Sequence, residues 1–325
     1  MFSRLFPLAC GSGAVKSALR IIVSGVLLFL VYRSIDVGEA MGLLLRAHPY
    51  WVLAAILWII GSMVISVVKW LVIMEGQGLS ISWREAWDCY WVGIFFNNFM
   101  PSSIGGDAFR IWRAGKAAGS RPGVFLSVIF ERLLALSCLA LLGLAAAAFL
   151  PGSKVFAAGF LGLVIAGIIL AWMVTRGISV FPSCGSIRNR ILKHLIENLT
   201  AARDYGMKLS LKGSVWIRTI FWSLLFQIAV VMIYVCVFRA IDLKIGWIQA
   251  SFAIPAISAF SMIPVSINGS GLREGVAIAL LAPWGIHPEA AATSSFIFGV
   301  LVSITSLYGG VILALERMPR KEVAA

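Results

Sequence analysis

The sequence predicts an all-α, polytopic integral membrane protein, and three observations support this fold class. Of the 325 residues, 60% are hydrophobic and 13% are charged, whereas a soluble domain is nearer half apolar and a quarter charged. The apolar residues form long runs without charge, and the Lys and Arg residues lie between these runs. Since lipid offers no partner to backbone N–H and C=O groups, each run crosses the membrane as a helix of about 20 residues.

The uncharged runs predict about six full transmembrane helices. They cover approximately residues 14–32, 51–74, 124–150, 155–175, 215–238 and 290–315. Lys69 lies near the end of the second span. Because a long Lys side chain can extend its charge to the membrane surface, we predict that Lys69 reaches the interface.

Two further apolar stretches are interrupted by residues that break helices. Residues 89–106 contain Pro101 and a Gly pair, and residues 245–272 contain Pro264 and several Gly residues. Broken helices free backbone groups, which then need partners from protein or water. We therefore predict two re-entrant hairpins that line a cavity.

The positions of the cations predict the orientation of both hairpins. Basic clusters follow the first broken stretch and also occupy the linker 176–212 and the C-terminal tail. If residues 84–106 return to the side from which they enter, all three clusters face the cytoplasm, as the positive-inside rule favours. The same reasoning requires residues 240–285 to enter from the opposite side. Both termini are then cytoplasmic, and the protein is placed in the cell inner membrane.

A short motif recurs in the two broken stretches. Residues 100–106 (MPSSIGG) and 263–269 (IPVSING) share the pattern apolar-Pro-x-Ser-Ile-[Gly/Asn]-Gly. Interrupted helices at corresponding places in two halves are typical of transporters built as inverted repeats. We therefore predict one transmembrane domain over residues 1–325. Its two half-repeats are predicted at about residues 14–150 and 155–316. A basic cytoplasmic linker, residues 176–212, is predicted within the second half-repeat.

The polar residues near the two breaks suit an anionic headgroup that contains phosphate. Arg110 and Arg273 follow the two motifs, and a guanidinium can donate to two phosphate oxygens. Helix N-termini and exposed backbone N–H groups also attract anions. The other candidate substrate-binding residues are Asn97, Asn98, Ser103, Asp107, Glu131, Arg132, Ser266, Asn268 and Glu274.

Each group of candidates also has a structural interpretation. The serines and asparagines are equally suited to capping and cross-linking broken helices. Glu131 and Arg132 lie about eight residues into an apolar span, where charged groups pair or face a polar cavity. For these two, a salt bridge that holds the first hairpin is favoured over substrate contact. Asp107 is favoured as an ion-pair partner over an acid or base.

The sequence contains no P-loop, no G-x-S-x-G elbow and no cluster of metal ligands. The five cysteines and three histidines are scattered, so no metal and no cofactor is predicted. Cytoplasmic loops and anionic headgroups explain the net charge of +13 without nucleic acid. The expected partner is therefore a membrane lipid with an anionic headgroup, and the second partner considered is a lipid-modifying enzyme. The oligomeric state is not predicted.

At these residues the sequence resembles the lysylphosphatidylglycerol synthase transmembrane-domain family, also described as flippase-like. The resemblance covers most of the chain. Its motifs are residues 95–107 (FFNNFMPSSIGGD) with Arg110, residues 131–134 (ERLL) and residues 266–275 (SINGSGLREG). This family is similar to the membrane half of the bacterial multiple peptide resistance factor, whose membrane part is taken to translocate aminoacylated phospholipid.

The chain departs from that factor in one respect. There an aminoacyltransferase domain follows the membrane region, whereas this sequence stops at Ala325. The resemblance therefore implies a lipid translocase for a phospholipid or a lipid-linked phosphate in the bacterial inner membrane, and no transfer of lysine. Two alternatives stay open. One is a membrane-embedded transferase that uses Asp107 or Glu274, and the other is an accessory subunit of a lipid-modifying or glycosyl-transferring enzyme.

Overall fold

The computed structural model describes residue 29 and residues 36–99, 105–176, 203–210, 213–263 and 269–317. All regular secondary structure within these residues is helical, which confirms the predicted all-α fold. The α-helices are α1 (Val37–Leu45), α2 (Pro49–Gly76), α3 (Trp83–Phe99), α4 (Gly105–Ala117), α5 (Arg121–Ala147), α6 (Lys154–Arg176), α7 (Arg203–Ser210), α8 (Gly213–Ala240), α9 (Trp247–Ser261), α10 (Leu272–Leu281) and α11 (Pro288–Arg317). A short 3₁₀ helix, Ala282–Trp284, follows α10.

Within the described residues, five helices are long and apolar enough to cross a membrane, namely α2, α5, α6, α8 and α11. They correspond to five of the six predicted spans. The first predicted span, residues 14–32, lies outside the described residues. Local sequence sets where these helices begin. For example, Pro122 lies in the first turn of α5, and the Ser120 hydroxyl accepts a hydrogen bond from the Gly123 N–H at 3.2 Å.

Helices α3 and α4 form an antiparallel hairpin, called the first hairpin below. Near its tip, the Gly106 N–H donates to Asn97 Oδ1 at 2.9 Å. Near its open end, Arg113 Nε donates to Glu85 Oε1 at 2.7 Å. Residues 100–104, with the predicted break at Pro101 and the candidate Ser103, lie outside the described residues.

The two helices of the first hairpin approach most closely at Gly93 and Gly106. A Cβ atom added at Gly106 would lie 2.0 Å from the Gly93 carbonyl oxygen. Only glycine allows the two backbones to come so near. The second glycine of the repeated motif therefore has a packing role in the first hairpin.

Helices α9 and α10 pack against each other as the second hairpin. Gly269 has a φ of +73°, and a Cβ added there would lie 3.0 Å from Ser261 Cβ. Residues 264–268, with Pro264 and the candidates Ser266 and Asn268, lie outside the described residues.

The two hairpins open at opposite ends of the helical bundle. The open end of the first hairpin packs with the end of α2 and the start of α5, and that of the second packs with the end of α8 and the start of α11. Helix α2 connects these two ends, because the His48 N–H just before it donates to Ala240 O at the end of α8. The buried residues concerned are Met74, Ala86, Ala114 and Val124 at one end and Phe238, Ala250, Leu281 and Ala291 at the other.

This arrangement has the opposite orientation of hairpins that the sequence predicts. It stays a prediction that the hairpins enter the membrane from opposite faces. It also stays a prediction that the two halves are copies of one repeat.

The close crossing gives a first test. Replacing Gly106 with Ala places a methyl group against the Gly93 backbone, so we expect a loss of about 3 kcal/mol, the upper end of the usual cost of overpacking. Unfolding of the purified protein in detergent measures this loss. Gly162→Ala in α6 is the matched control, since nothing lies within 4 Å of a Cβ at that position. Equal stability of the two variants would contradict the close approach of the two helices at Gly93 and Gly106.

Candidate functional site

Glu131 is the centre of a buried charge network in the first half of the bundle. Its side chain is 8% exposed. Lys69 Nζ on α2 lies 3.2 Å from Oε1, and Arg110 Nη2 on α4 lies 2.8 Å from Oε2. The Tyr90 hydroxyl on α3 also donates to this carboxylate. One side chain of α5 therefore connects to three neighbouring helices.

Lys69 does not reach the membrane interface, so that prediction was wrong. Its side chain is 2% exposed, and its Nζ lies 5.0 Å from the ring centre of Phe226 as well as near Glu131. A charge can stay buried when an oppositely charged partner offsets part of its desolvation cost. That partner is distant in the sequence, which is why hydropathy alone did not reveal the pair.

Arg110 is enclosed by aromatic rings and carboxylates. Its guanidinium carbon lies 3.8 Å from the ring centre of Tyr90 and 4.3 Å from that of Trp70. The indole N–H of Trp70 donates to Ser127 Oγ at 2.9 Å, which fixes the ring in place. Because the Arg110 side chain is only 6% exposed and already pairs with Glu131, its charge acts within the network.

Arg132 and Asp107 form the exposed edge of the same network. Arg132 Nη2 lies 2.9 Å and 3.1 Å from the two carboxylate oxygens of Asp107. The Arg132 side chain is 52% exposed, whereas that of Asp107 is 19% exposed. Arg110 Nη1 lies 3.6 Å from Asp107 Oδ1, which links the edge to the buried centre.

The depth of Arg132 along α5 is its unusual feature. Helix α5 begins at Arg121, so at 1.5 Å per residue Arg132 lies about 16 Å along it. The hydrocarbon core of a bilayer is about 30 Å thick. A half-exposed guanidinium therefore lies well inside an otherwise apolar helix.

Arg273 and Glu274 form a second pair at the start of α10. Glu274 Oε2 accepts a hydrogen bond from the Gly271 N–H at 2.6 Å, as in a capping box. Arg273 Nη2 lies 3.0 Å from Glu274 Oε1. The Nε atom of Arg273 is buried and has no hydrogen-bond partner in the described part of the chain. Glu274 thus has a clear structural function, and Arg273 keeps one donor unused.

Gly299 on α11 makes room for the Arg273 guanidinium. A Cβ added at Gly299 would lie 2.2 Å from Arg273 Nη2. The guanidinium also lies 5.4 Å from the ring centre of Phe298. Helix α11 therefore determines where the charge of Arg273 is placed.

Both hairpins contact the middle of α11. From the first hairpin, Asn98 Nδ2 donates to Val302 O at 3.4 Å. From the second, Arg273 lies against Gly299. Gly299 and Val302 are three residues apart, a rise of about 4.5 Å. Asn98 and Arg273 therefore contact this helix within one turn of each other.

The structure brings most of the predicted candidates together. Asn97 hydrogen-bonds Gly106, Asn98 reaches α11, and the charged candidates of the first half belong to the network around Glu131. Arg273 and Glu274 lie beside the other hairpin tip. Among the described residues, no group of three or more His, Cys, Asp and Glu residues could hold a metal ion.

Sequence reasoning missed four residues that shape these sites: Lys69, Trp70, Tyr90 and Gly299. A lysine inside an apolar span signals a buried partner, so Lys69 could have been found. The sequence carries no comparable signal for the two aromatic residues or for one glycine among 31.

Comparison with known proteins identifies the family. The chain matches the family described as "Lysylphosphatidylglycerol synthase TM region" over residues 17–310. The chain belongs to this family. The predicted resemblance is thereby confirmed, and the long apolar helices together with this membership show a multi-pass membrane protein.

Three relatives are described as UPF0104 membrane proteins. The protein PH1989 of Pyrococcus horikoshii is 25% identical over 93% of this chain and 98% of its own length. The protein of Methanothermobacter thermautotrophicus is 22% identical over 87% of this chain and 90% of its own. MJ1595 of Methanocaldococcus jannaschii is 30% identical over 37% of this chain and 36% of its own length. These names describe membrane proteins and state no substrate.

The buried network gives a second test. Glu131→Gln leaves Lys69 and Arg110 buried without their shared counter-ion, and removing one partner of a buried ion pair costs about 3–5 kcal/mol. We expect a loss of that size in the free energy of unfolding in detergent. Glu75→Gln is the control, because the Glu75 side chain is 70% exposed and pairs only loosely with Arg218 at 3.5 Å. A loss below about 1 kcal/mol for Glu131→Gln, the value expected of an exposed pair, would contradict the network.

Proposed function

We propose that the protein is a lipid translocase that moves a phospholipid or a lipid-linked phosphate across the bacterial inner membrane. The observation that carries this proposal is Arg132, whose side chain is 52% exposed about 16 Å along an apolar helix. An exposed charge at such depth is costly in lipid, so these residues typically mark a polar path. A phosphate group is an anion that a guanidinium binds with two parallel hydrogen bonds.

The surrounding residues support a division of roles within the site. Arg110 and Lys69 are buried and both pair with Glu131, so they hold the first hairpin and α2 against α5. Arg132 extends beyond these buried ion pairs and contacts the phosphate. The acyl chains stay in the lipid beside the bundle while the headgroup passes the hairpin tips.

Arg273 provides a second position for the same phosphate. It lies beside the second hairpin tip, one helical turn from the contact of Asn98 with α11. Because the two hairpins open at opposite ends of the bundle, a headgroup handed from Arg132 to Arg273 would change the end to which it has access. Two half-sites that meet at mid-depth are typical of transporters that alternate their access.

The open end of the first hairpin is placed on the cytoplasmic side in this proposal. Among the described residues, exposed cations occur at both ends: Arg84, Lys116, Arg121, Lys208 and Arg218 at this one, and Arg46, Lys154, Arg239 and Lys244 at the other. The linker 176–212, which joins helices at the first hairpin's open end, adds Arg188, Arg190 and Lys193 in the sequence. An excess of Lys and Arg in loops is typical of the cytoplasmic side.

The alternative transferase function requires Asp107 or Glu274 to act on a substrate. Asp107 lies between two guanidiniums, and Glu274 accepts from Gly271 and pairs with Arg273. Both carboxylates therefore have structural partners, and no observation favours a catalytic role over translocation.

Transport by reconstituted protein tests the proposal. Vesicles with a fluorescently labelled phosphate lipid report headgroup movement through the loss of protection from an added quencher. We expect Arg132→Ala to lower the rate at least tenfold, which corresponds to about 1.4 kcal/mol of lost interaction. Arg132→Lys keeps the charge without the planar fork and is expected to give an intermediate rate.

The matched control is Arg218→Ala, since Arg218 is also an arginine of a spanning helix with a half-exposed side chain. It should transport at the rate of the unchanged protein. Absence of transport for every phosphate lipid by the unchanged protein would reject the proposal, as would equal rates for the Arg132 and Arg218 variants.

The position of Arg273 can be tested separately from its charge. Gly299→Ala displaces only the end of a flexible side chain, so we expect less than about 1 kcal/mol change in stability, the usual scale of a substitution without a severe mechanism. Transport should nevertheless fall several-fold, because the guanidinium no longer lies where both hairpins contact α11. Gly61→Ala, where nothing lies within 4 Å of a Cβ, is the control. Unchanged transport by the Gly299 variant would remove Arg273 from the path.

A further inference from the structure

The charge network in the first half of the bundle does not balance. Its charged members form one connected chain of contacts from Lys69 through Glu131, Arg110 and Asp107 to Arg132. This chain contains three cations and two carboxylates. One positive charge is therefore left over in the network as a whole. Arg110 contacts both carboxylates, so Glu131 is shared by Lys69 and Arg110, and Asp107 is shared by Arg110 and Arg132. Since the Arg132 side chain is 52% exposed and those of Lys69 and Arg110 are buried, Arg132 is the member that an arriving anion can reach.

Among the described residues, no third carboxylate contacts the network. Residues 100–104 and 264–268 lie outside the described residues, and their sequence contains no charged side chain. The neighbouring pair of Arg273 and Glu274 is neutral in itself. Among the described residues, Asp107 is the one carboxylate that contacts Arg132.

Arg132 also has hydrogen-bond donors to spare. Only its Nη2 atom contacts Asp107, so that one nitrogen serves both carboxylate oxygens. A guanidinium presents five donors in a planar fork. Its Nη1 and Nε atoms make no hydrogen bond within the described ranges, and the side chain is 52% exposed. An arriving anion can therefore bind Arg132 while Asp107 keeps its contact.

We infer that this site completes its charge balance with a single negative charge, and thus selects lipids whose headgroup phosphate is a diester over those whose phosphate is a terminal monoester. This inference rests on the proposed function and names its substrate class. A phosphodiester carries one negative charge, which cancels the surplus. A phosphomonoester carries nearly two at pH 7, since its second pKa is about 6. The extra charge would have no counter-ion at a depth where unpaired charge is costly.

The same reasoning predicts how the preference shifts with the charge of the network. Asp107→Asn leaves the network with two surplus positive charges, so the doubly charged monoester becomes the better fit. Glu75→Gln makes the same chemical change at an exposed position outside the network and should leave the preference unaltered.

The experiment compares phosphatidylglycerol, a diester, with phosphatidic acid, a monoester with the same acyl chains. Binding to the purified protein in detergent is measured by competition against a fluorescent phosphatidylglycerol, and transport is measured in vesicles. At pH 8 we expect the unchanged protein to bind the diester at least tenfold more tightly. Asp107→Asn should remove or reverse this preference, with the Glu75→Gln control retaining it.

A change of pH tests the inference without any variant. At pH 5 the monoester carries close to one negative charge, so the preference for the diester should fall to about twofold or less. The network contains no histidine, the side chain that ordinarily titrates between pH 5 and 8. Its titratable members are Lys69, Tyr90, Arg110, Arg132, Asp107 and Glu131.

The outcomes separate this inference from the proposed function. If the protein neither binds nor moves either lipid, both fail. If it moves lipids but binds the monoester as tightly as the diester at pH 8, or if the preference is the same at pH 5, the translocase proposal stands and the charge-balance inference is overturned. A preference that Asp107→Asn leaves unchanged in a correctly folded variant also overturns it.

Discussion

The fold of the first half depends on one constraint, which is that the Glu131 carboxylate must be paired because it is buried. Removing such a charge from water costs several kcal/mol, and the cost is offset only if oppositely charged and hydrogen-bonding groups surround it. Here Lys69, Arg110 and Tyr90 meet that requirement from three different helices. The positions of α2, α3 and α4 relative to α5 are therefore fixed by one side chain as well as by apolar packing.

The same constraint explains why two arginines near the first motif differ in their surroundings. Arg110 lies near the rings of Trp70 and Tyr90 and pairs with Glu131, so its charge is buried within the protein. Arg132 is adjacent to Glu131 in the chain, but its partner is Asp107, which lies nearer the surface. Arg132 is therefore the half-exposed end of a network whose centre is buried.

Sequence alone predicted the features that depend on local pattern, and not those that depend on distant pairing. Charge-free runs of about 20 residues identified the spanning helices, and the breaks near Pro101 and Pro264 identified the hairpins. The proximity of Arg110 to the first motif suggested ligand contact, but it carried no information about the rings that enclose it. The prediction that Lys69 reaches the interface was wrong for the same reason, because its partner Glu131 is 62 positions away in the sequence.

Helix α11 is the element through which the two hairpins can affect each other. Its middle contacts Asn98 of the first hairpin through Val302 and Arg273 of the second through Gly299. Its second half also packs closely on the first hairpin, since a Cβ added at Gly309 would lie 2.1 Å from the Trp91 carbonyl oxygen and Arg113 Nη2 lies 2.8 Å from Glu316 Oε1. Helix α11 is therefore fixed to the first hairpin at several points. If the second hairpin moved relative to the first, the contact of Arg273 with Gly299 would have to change.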